Sequence, residues 1–182
     1  GEHIKRTKDL TRILINTYNK KYPDHFIIDS KREKICRAAA LHDVGKISIS
    51  GTILNKKGRL TDEEMEIMKT HTTKGYEIIK GFKLNDDEEQ ERYSLDIAKY
   101  HHERWDGRGY PEGLKGDEIP LWSQIVGIVD VYDALVSPRV YKKAFSHEKA
   151  MEMILAGECG TFNPILLECL KDAEELLKNE YK

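Results

Sequence analysis

Apolar residues recur every three to four positions through most of this chain, which is the spacing of helices with one buried face. Near the start they are Ile4, Leu10, Ile13, Leu14 and Tyr18, with lysine and arginine between them. This spacing predicts an amphipathic helix from Ile4 to Tyr18. No stretch shows the regular alternation that would indicate a strand. The pattern therefore predicts an all-α fold.

Capping signals indicate where the later helices begin. Thr61 and Glu64 have the spacing of a capping box, and Asn163 before Pro164 is typical of a helix start. The further predicted helices are one capped by Asp29 or Ser30 and reaching about Leu41, one from Thr61 toward His71, one from Gly75 to Phe82, one from Trp122 to Val136, one from Ser146 to about Ala156, and a last one from Asn163-Pro164.

Two segments lack a helical pattern. The acidic run Asn85–Glu91 is expected to be a solvated loop without a function of its own. The segment Glu103–Pro120 contains Gly107, Gly109, Gly113 and Gly116, which are too many for a helix. It is therefore predicted to be a long loop.

Two adjacent histidines, His101 and His102, end the apolar helical face of Leu95 and Ala98 and stand directly before this loop. Successive side chains of a helix point about 100° apart. Both imidazoles can therefore serve one site only where the helix ends or where two metal ions lie side by side. The pair indicates a site that needs partners from elsewhere in the chain.

Suitable partners occur in three other segments. His42 and Asp43 follow the apolar helical face of Ile35, Ala38 and Ala39, while His71 and Asp130 come later. Imidazole and carboxylate ligands without a thiolate suit iron, manganese or zinc, and carboxylates that can bridge favour a multinuclear centre. The chain is therefore expected to bind two or three metal ions.

Five motifs in order resemble the HD-GYP domain, a branch of the HD phosphohydrolase superfamily: HDVGK, the single downstream His71, HHERWDGRGYP, IVDVYDAL and SPRVYK. The resemblance extends from about His3 to Phe162. It implies an HD-type helical bundle with a glycine-rich GYP loop, here one domain over residues 1–182, cut from a longer chain. In that family the domain is often fused to sensory or receiver modules, and homodimers are expected.

The resemblance also supports a ligand set and a cofactor. The metal ligands are expected to be His42, Asp43, His71, His101, His102 and Asp130, with Asp43 as the bridge. His3 lies in an H-x-x-R motif that opens HD-type domains, so it is a candidate ligand for a third ion. Two divalent transition-metal ions are expected, or three if His3 also binds one, and iron or manganese is expected before zinc. Asp133 is predicted to support the structure rather than to bind an ion.

Substrate contacts are expected around this centre. Ions about 3.5 to 4 Å apart can share a hydroxide and clamp the attacking and leaving oxygens of a phosphodiester. Lys46, three residues after Asp43, can bring a positive charge to a phosphate, and these two are the predicted catalytic residues. Arg139 and Lys142 would share one helical face if SPRVYK is helical, and the matching pair in the family contacts nucleotide phosphates.

The GYP loop is expected to approach the substrate. Gly109 permits close backbone approach, and Tyr110 can stack on a base or hold the loop in place. The activity that the resemblance implies is hydrolysis of cyclic di-GMP to pGpG and onward to GMP. Two alternatives remain: a catalytically weak module that binds cyclic di-GMP for signalling, and an HD phosphohydrolase for another nucleotide.

Composition excludes some other classes. The chain has 182 residues and a formal net charge of −2, so no broad basic surface indicates long nucleic acid or an anionic membrane as a partner. No apolar stretch approaches the roughly 18 residues of a membrane-spanning helix. The three cysteines are odd in number and form no CxxC pair, which is typical of reduced thiols in a cytoplasmic protein.

Overall fold

The computed structural model describes residues 1–83, 86–139 and 141–182, and their regular elements are helices. The helices are α1 (Glu2–Lys21), α2 (Asp29–Ala39), α3 (Gly51–Leu54), α4 (Asp62–Lys69), α5 (His71–Phe82), α6 (Glu88–Tyr100), α7 (Leu121–Val136), α8 (His147–Leu155), α9 (Pro164–Asp172) and α10 (Glu174–Asn179). Short 3-10 helices cover Pro23–His25, Val44–Ser48 and Gly116–Glu118. The all-α prediction is confirmed. None of the helices described is long and apolar enough to span a membrane.

The core lies where α1, α2, α6, α7 and α9 meet. Its fully buried side chains include Leu10 and Leu14 of α1, Ile35 of α2, Ile97 of α6, Ile125 and Ile128 of α7, and Leu166 of α9. Each such leucine or isoleucine stabilises the fold by about 1.5–3 kcal/mol through burial. Because α2 and α7 both pack on α1 and on α6, the residues at the ends of α2 and α6 come close to the middle of α7.

Most of the predicted helix starts are confirmed by hydrogen bonds. Thr61 and Glu64 form the reciprocal capping box of α4, Ser146 caps α8, and Asn163 caps α9 ahead of Pro164. The predicted cap of α2 was wrong. Asp29 is already the first helical residue, and no side chain makes a capping bond there. The Asp29 carboxylate instead lies 3.2 Å from Arg32 one turn later, a spacing that stabilises the first turn without a cap.

Two boundaries differ from the predictions. Helix α5 begins at His71 rather than at Gly75, so His71 lies in its first turn. The acidic run Asn85–Glu91 was predicted to be a loop, but α6 already begins within it, at Glu88. Asn85, the first residue of the run, lies outside the described residues. The cause of the early helix start is the Asp87 side chain, which accepts a hydrogen bond from the Gln90 backbone N–H at 3.0 Å and caps the helix.

Two glycines permit the close packing that brings the candidate ligands together. A methyl group at Gly45 would overlap the backbone carbonyl of His71 and lie 2.6 Å from the Gly75 nitrogen. A methyl group at Gly127 would lie 2.6 Å from the His101 carbonyl oxygen. Because neither glycine has a side chain, the 3-10 helix Val44–Ser48 can approach α5, and α7 can approach the end of α6.

Candidate metal centre

Four imidazoles and two carboxylates converge between the ends of α2 and α6, the start of α5 and the middle of α7. They form two groups, in each of which the potential ligand atoms lie within 4.8 Å of one another. The first group is Asp43, His71, His101 and His102, and the second is His42, His101 and Asp130. The fold thus brings together the six residues that the sequence indicated as ligands.

Asp43 lies between the two groups. Its Oδ1 atom is 3.4 Å from His71 Nε2 and 3.5 Å from His101 Nε2. Its Oδ2 atom is 3.2 Å from His42 Nε2 and 3.0 Å from Lys46 Nζ. Asp43 can therefore offer one oxygen to each group, which is the geometry that a bridging carboxylate requires.

Three of the imidazoles are oriented by the backbone. The Nδ1 atoms of His42, His71 and His101 lie 2.7, 2.7 and 2.8 Å from carbonyl oxygens three or four residues earlier. A hydrogen bond from Nδ1–H to such a carbonyl leaves the lone pair on Nε2, the nitrogen that faces the centre. These imidazoles are therefore preorganised to bind a cation.

The residues fit a metal ion because three of their buried atoms have no hydrogen-bond partner within the described ranges. Asp43 Oδ1, His71 Nε2 and His101 Nε2 make no hydrogen bond to any residue that the structure describes. Each buried polar atom left without a partner costs about 1–3 kcal/mol. A divalent cation would satisfy all three atoms at once, and imidazole nitrogen with carboxylate oxygen suits iron, manganese or zinc.

The protonation states of His101, His102 and Asp43 favour the same assignment. Burial lowers the pKa of His101 and His102, so their imidazoles are neutral at pH 7. Burial alone would raise the pKa of Asp43, but the imidazoles of His101, His42 and His71, which lie 3.2 to 3.5 Å from its oxygens, outweigh burial and hold that pKa well below its usual range. His42 is buried as well, yet Asp130 and Asp43 raise its pKa, so a bound cation competes with its proton.

His3 belongs to neither group among the described residues. Its Nδ1 atom lies 2.7 Å from Asp133 Oδ2, and its ring centroid is 6.3 Å from that of His42. The buried Asp133 also accepts hydrogen bonds from Arg6 at 2.7 Å and Tyr181 at 2.6 Å. Asp133 thus joins α1, α7 and the segment after α10, in a structural role. The third-ion role of His3 stays a prediction.

A cavity of about 350 Å³ opens beside the candidate ligands. The residues around it include His71, His102, Asp130, Tyr110, Lys46, Arg139 and Lys142. Its wall thus combines metal-ligand candidates with three cationic side chains. A phosphate group in this cavity would meet both.

Arg139 and Lys142 would share a helical face only if their segment were helical, and that condition is not met at its start. Helix α7 ends at Val136, and Ser137 before Pro138 is extended, because a residue followed by proline avoids the helical region. Arg139 and Lys142 instead bond to each other through their backbones, at 3.0 and 3.1 Å. Val140 between them lies outside the described residues. The turn, rather than a helical face, directs both side chains to the cavity.

The GYP loop folds back on His101 and His102, the two residues that follow α6. The Tyr110 ring stacks on His102 with centroids 4.8 Å apart and planes 12° apart, and its backbone N–H donates to the His102 carbonyl at 3.3 Å. At Gly109 a methyl group would overlap that same carbonyl. The close backbone approach that Gly109 permits is therefore an approach to the His102 carbonyl, whereas the sequence predicted an approach to the substrate.

Sequence reasoning missed two residues that shape the site, Glu103 and Gly45. The Glu103 carboxylate is buried and accepts three backbone hydrogen bonds from the far end of the loop. An acidic residue ahead of a glycine-rich loop is a usable signal, because loop N–H groups need acceptors. The position of Gly45 between Asp43 and Lys46 was a second signal, since it marks close backbone approach.

Comparisons with known proteins agree with this geometry. The family model for the HD domain matches residues 3–162. A cyclic di-GMP phosphodiesterase of Vibrio cholerae is 39% identical over 186 residues, covering 96% of this chain and 36% of the relative. Another of that name from Thermotoga maritima is 42% identical over 145 residues, covering 80% of this chain and 38% of the relative. The chain belongs to the HD domain family.

Within that family, the predicted membership of the HD-GYP branch is confirmed. A solved structure, Bd1817, an HDG"Y"P protein from Bdellovibrio bacteriovorus, superposes with a TM-score of 0.69 at 18% identity. The match covers 96% of this chain and 53% of that protein, and it supports the fold. The chain spans about a third of the length of the curated relatives named above.

Proposed function

We propose that this chain is a metal-dependent phosphodiesterase that linearises cyclic di-GMP to pGpG and hydrolyses it further to GMP. The observation that carries the proposal is a set of three buried atoms, on Asp43, His71 and His101, that have no hydrogen-bond partner among the described residues. Of these three residues, His71 lines the cavity together with three cationic side chains. A cation site beside a cavity with cationic side chains in its wall is an arrangement suited to phosphodiester hydrolysis.

The cofactor is two divalent transition-metal ions, iron or manganese before zinc. Asp43, His71, His101 and His102 would hold one ion, and His42 and Asp130 the other, with Asp43 as the bridge. His101 can bind only one of the two ions, because its Nδ1 atom contacts a backbone carbonyl and Nε2 alone is free. Such ions, when bound, polarise a phosphoryl oxygen and activate water for attack at neutral pH. His3 stays a candidate for a third ion through its nitrogen that does not face Asp133.

The cationic side chains have separate tasks in this proposal. Arg139 and Lys142 lie on the turn after α7, where they bind the phosphates of the cyclic dinucleotide and orient it. Lys46 is 3.0 Å from Asp43 and therefore lies beside the reacting phosphate, where negative charge builds up during attack. Tyr110 lines the cavity on the loop side, and Gly109 beside it packs against the His102 carbonyl.

A second substrate is favoured by a specific relative. A 3'3'-cGAMP-specific phosphodiesterase of Vibrio cholerae is 36% identical over 170 residues, covering 93% of this chain and 30% of the relative. The cations in the cavity can recognise the phosphates of either cyclic dinucleotide, and the base decides between them. A non-catalytic binding module is less well supported, because such a module does not need a complete set of ligands.

The decisive experiment is a turnover assay with both nucleotides. Chain loaded with Mn²⁺, or with Fe²⁺ without oxygen, is incubated with cyclic di-GMP or 3'3'-cGAMP, and the products are separated by chromatography. We expect pGpG to form and then decline as GMP accumulates. Saturable binding of cyclic di-GMP without any product, in chain shown to contain two ions, would instead establish the signalling module.

We propose a cytoplasmic setting and fusion to a sensory or receiver module. The thiols of Cys36, Cys159 and Cys169 are unpaired among the described residues, which agrees with a reducing compartment. The fused module and homodimerisation rest on the family resemblance. Light scattering of the purified chain would test dimerisation directly.

A further inference from the structure

His102 differs from the other candidate ligands in how its ring is held. The imidazoles of His42, His71 and His101 each use Nδ1 to contact a backbone carbonyl. Within the part of the chain that the structure describes, neither ring nitrogen of His102 makes a hydrogen bond. Its ring is instead covered by Tyr110, nearly parallel, at 4.8 Å between centroids. Ring stacking thus takes the place of a hydrogen bond.

The loop that carries Tyr110 is closed by one buried carboxylate. Glu103, only 5% exposed, accepts backbone N–H groups through both of its oxygens. Oε1 accepts from Glu112 at 2.7 Å and Gly113 at 3.2 Å, and Oε2 accepts from Leu114 at 2.9 Å. Hydrogen bonds to an ionised carboxylate are about twice as strong as neutral ones, so this is a firm clamp.

The clamp and the stack belong to one closed unit. Glu103 directly follows His102, and the three donors it binds come just after Tyr110-Pro111. Between these points, the Tyr110 N–H bonds to the His102 carbonyl at 3.3 Å, and Gly109 packs on the same turn. Releasing the carboxylate frees the far end of the loop and, with it, the aromatic ring over His102.

We infer that Tyr110 is a positioning residue that orients His102 for metal binding, and that Glu103 acts through it by holding the loop closed. The inference rests on the proposed metal centre and adds a task for the GYP tyrosine. His102 belongs to only one of the two ligand groups. Loss of the stack should therefore weaken one metal equivalent and spare the other, because His42 and Asp130 are not in the loop.

The test is titration of metal-free chain with Mn²⁺ alone, by calorimetry and by electron paramagnetic resonance of the free ion. Wild type should bind two equivalents. Tyr110→Leu and Glu103→Gln should each weaken one equivalent by about 10- to 100-fold, the usual effect of losing a residue that orients a ligand. Tyr110→Phe keeps the aromatic face and should bind as wild type does. Glu118→Gln is the matched control, since that exposed carboxylate of the 3-10 helix Gly116–Glu118 accepts one backbone N–H, from Lys115.

The double variant Glu103→Gln/Tyr110→Leu shows whether Glu103 affects metal binding through Tyr110 or independently of it. If Glu103 acts through Tyr110, the double variant should bind Mn²⁺ no more weakly than the worse single variant. Additive losses would overturn the role of Glu103. Wild-type affinity in Tyr110→Leu, or equal losses in Tyr110→Phe and Tyr110→Leu, would overturn the stacking role.

Folding of each variant is checked by circular dichroism, and Glu103→Gln decides the result if Tyr110→Leu does not fold. The proposed function fails by a different measurement: two bound Mn²⁺ with no product from either cyclic dinucleotide would refute the hydrolase and leave this inference standing. A wild-type chain that binds no Mn²⁺ would overturn both.

Discussion

Gly45 and His71 are in direct backbone contact, so close that no side chain fits between them. The added methyl group of an alanine at Gly45 would overlap the His71 carbonyl and approach the Gly75 nitrogen to 2.6 Å. This contact places the segment that begins with Asp43 against the helix that begins with His71. The distance of 3.4 Å between Asp43 Oδ1 and His71 Nε2 depends on it.

Gly45→Ala should destabilise the fold and weaken metal binding together. Overpacking of this kind costs about 1–3 kcal/mol, because backbone atoms rather than flexible side chains must move. Urea unfolding and Mn²⁺ titration measure the two effects. Gly81→Ala is the control, since it lies in the same helix as His71 with nothing near its Cβ position, and it should be neutral or stabilising by up to about 1 kcal/mol. Equal stability of Gly45→Ala and Gly81→Ala would contradict the packing argument.

Asp43→Ala should abolish turnover and lower the metal content. The carboxylate lies 3.4 and 3.5 Å from His71 and His101, so its loss removes the proposed bridging ligand between the two groups of residues. We expect turnover to fall by about 10³-fold or more, fewer bound metal ions by mass spectrometry, and an unchanged all-α circular dichroism spectrum. Asp117→Ala, an exposed loop carboxylate, is the control. Full activity in Asp43→Ala would remove this residue from the mechanism.

Lys46 and Arg139 should affect different kinetic constants. Lys46 lies 3.0 Å from Asp43, which in the proposed reaction would be beside the bond that breaks, so Lys46→Ala should lower kcat by about 10²-fold or more. Arg139 follows α7 and is proposed to bind phosphate in ground and transition state alike, so Arg139→Ala should mostly raise KM. Steady-state kinetics at saturating metal distinguish them, with the neighbouring exposed Lys143→Ala as control. The reverse pattern would exchange their roles.

Asp133 should make stability sensitive to acid. Burial would raise its pKa, but hydrogen bonds from His3, Arg6 and Tyr181 outweigh burial and hold the pKa below its usual range. The unfolded chain, with an aspartate pKa of about 3.9, therefore takes up this proton first as pH falls. The stabilisation by Asp133 is present above about pH 4 and is lost as the pH falls toward the lower folded pKa.

Asp133→Asn should accordingly lower the free energy of unfolding by about 3–5 kcal/mol at pH 7, the usual cost of breaking a buried ion pair. Its deficit relative to wild type should shrink below about pH 4. Urea unfolding between pH 7 and pH 3 measures this, with Asp117→Asn as an exposed control. A deficit that stays constant over this range would show that ionisation of Asp133 does not stabilise the fold.

The sequence by itself was enough for the helical class, most helix starts and the six candidate ligands. Helical spacing and capping are local, so they are legible in a single chain, as the capping box of Thr61 and Glu64 shows. The ligands could be selected because imidazoles and carboxylates at the ends of apolar faces are chemically unusual. Where a capping residue was overlooked, as Asp87 was, the predicted start of the helix was wrong.

Only the tertiary structure decided which partners the site residues contact. Whether His3 faces a metal or Asp133 depends on how α1 packs against α7, and no local pattern encodes that contact. The Arg139 and Lys142 side chains meet the cavity through a turn that follows a proline, not through the helical spacing expected of them. The carboxylate of Glu103 finds its three N–H donors nine to eleven residues later, because loop closure depends on the fold around it.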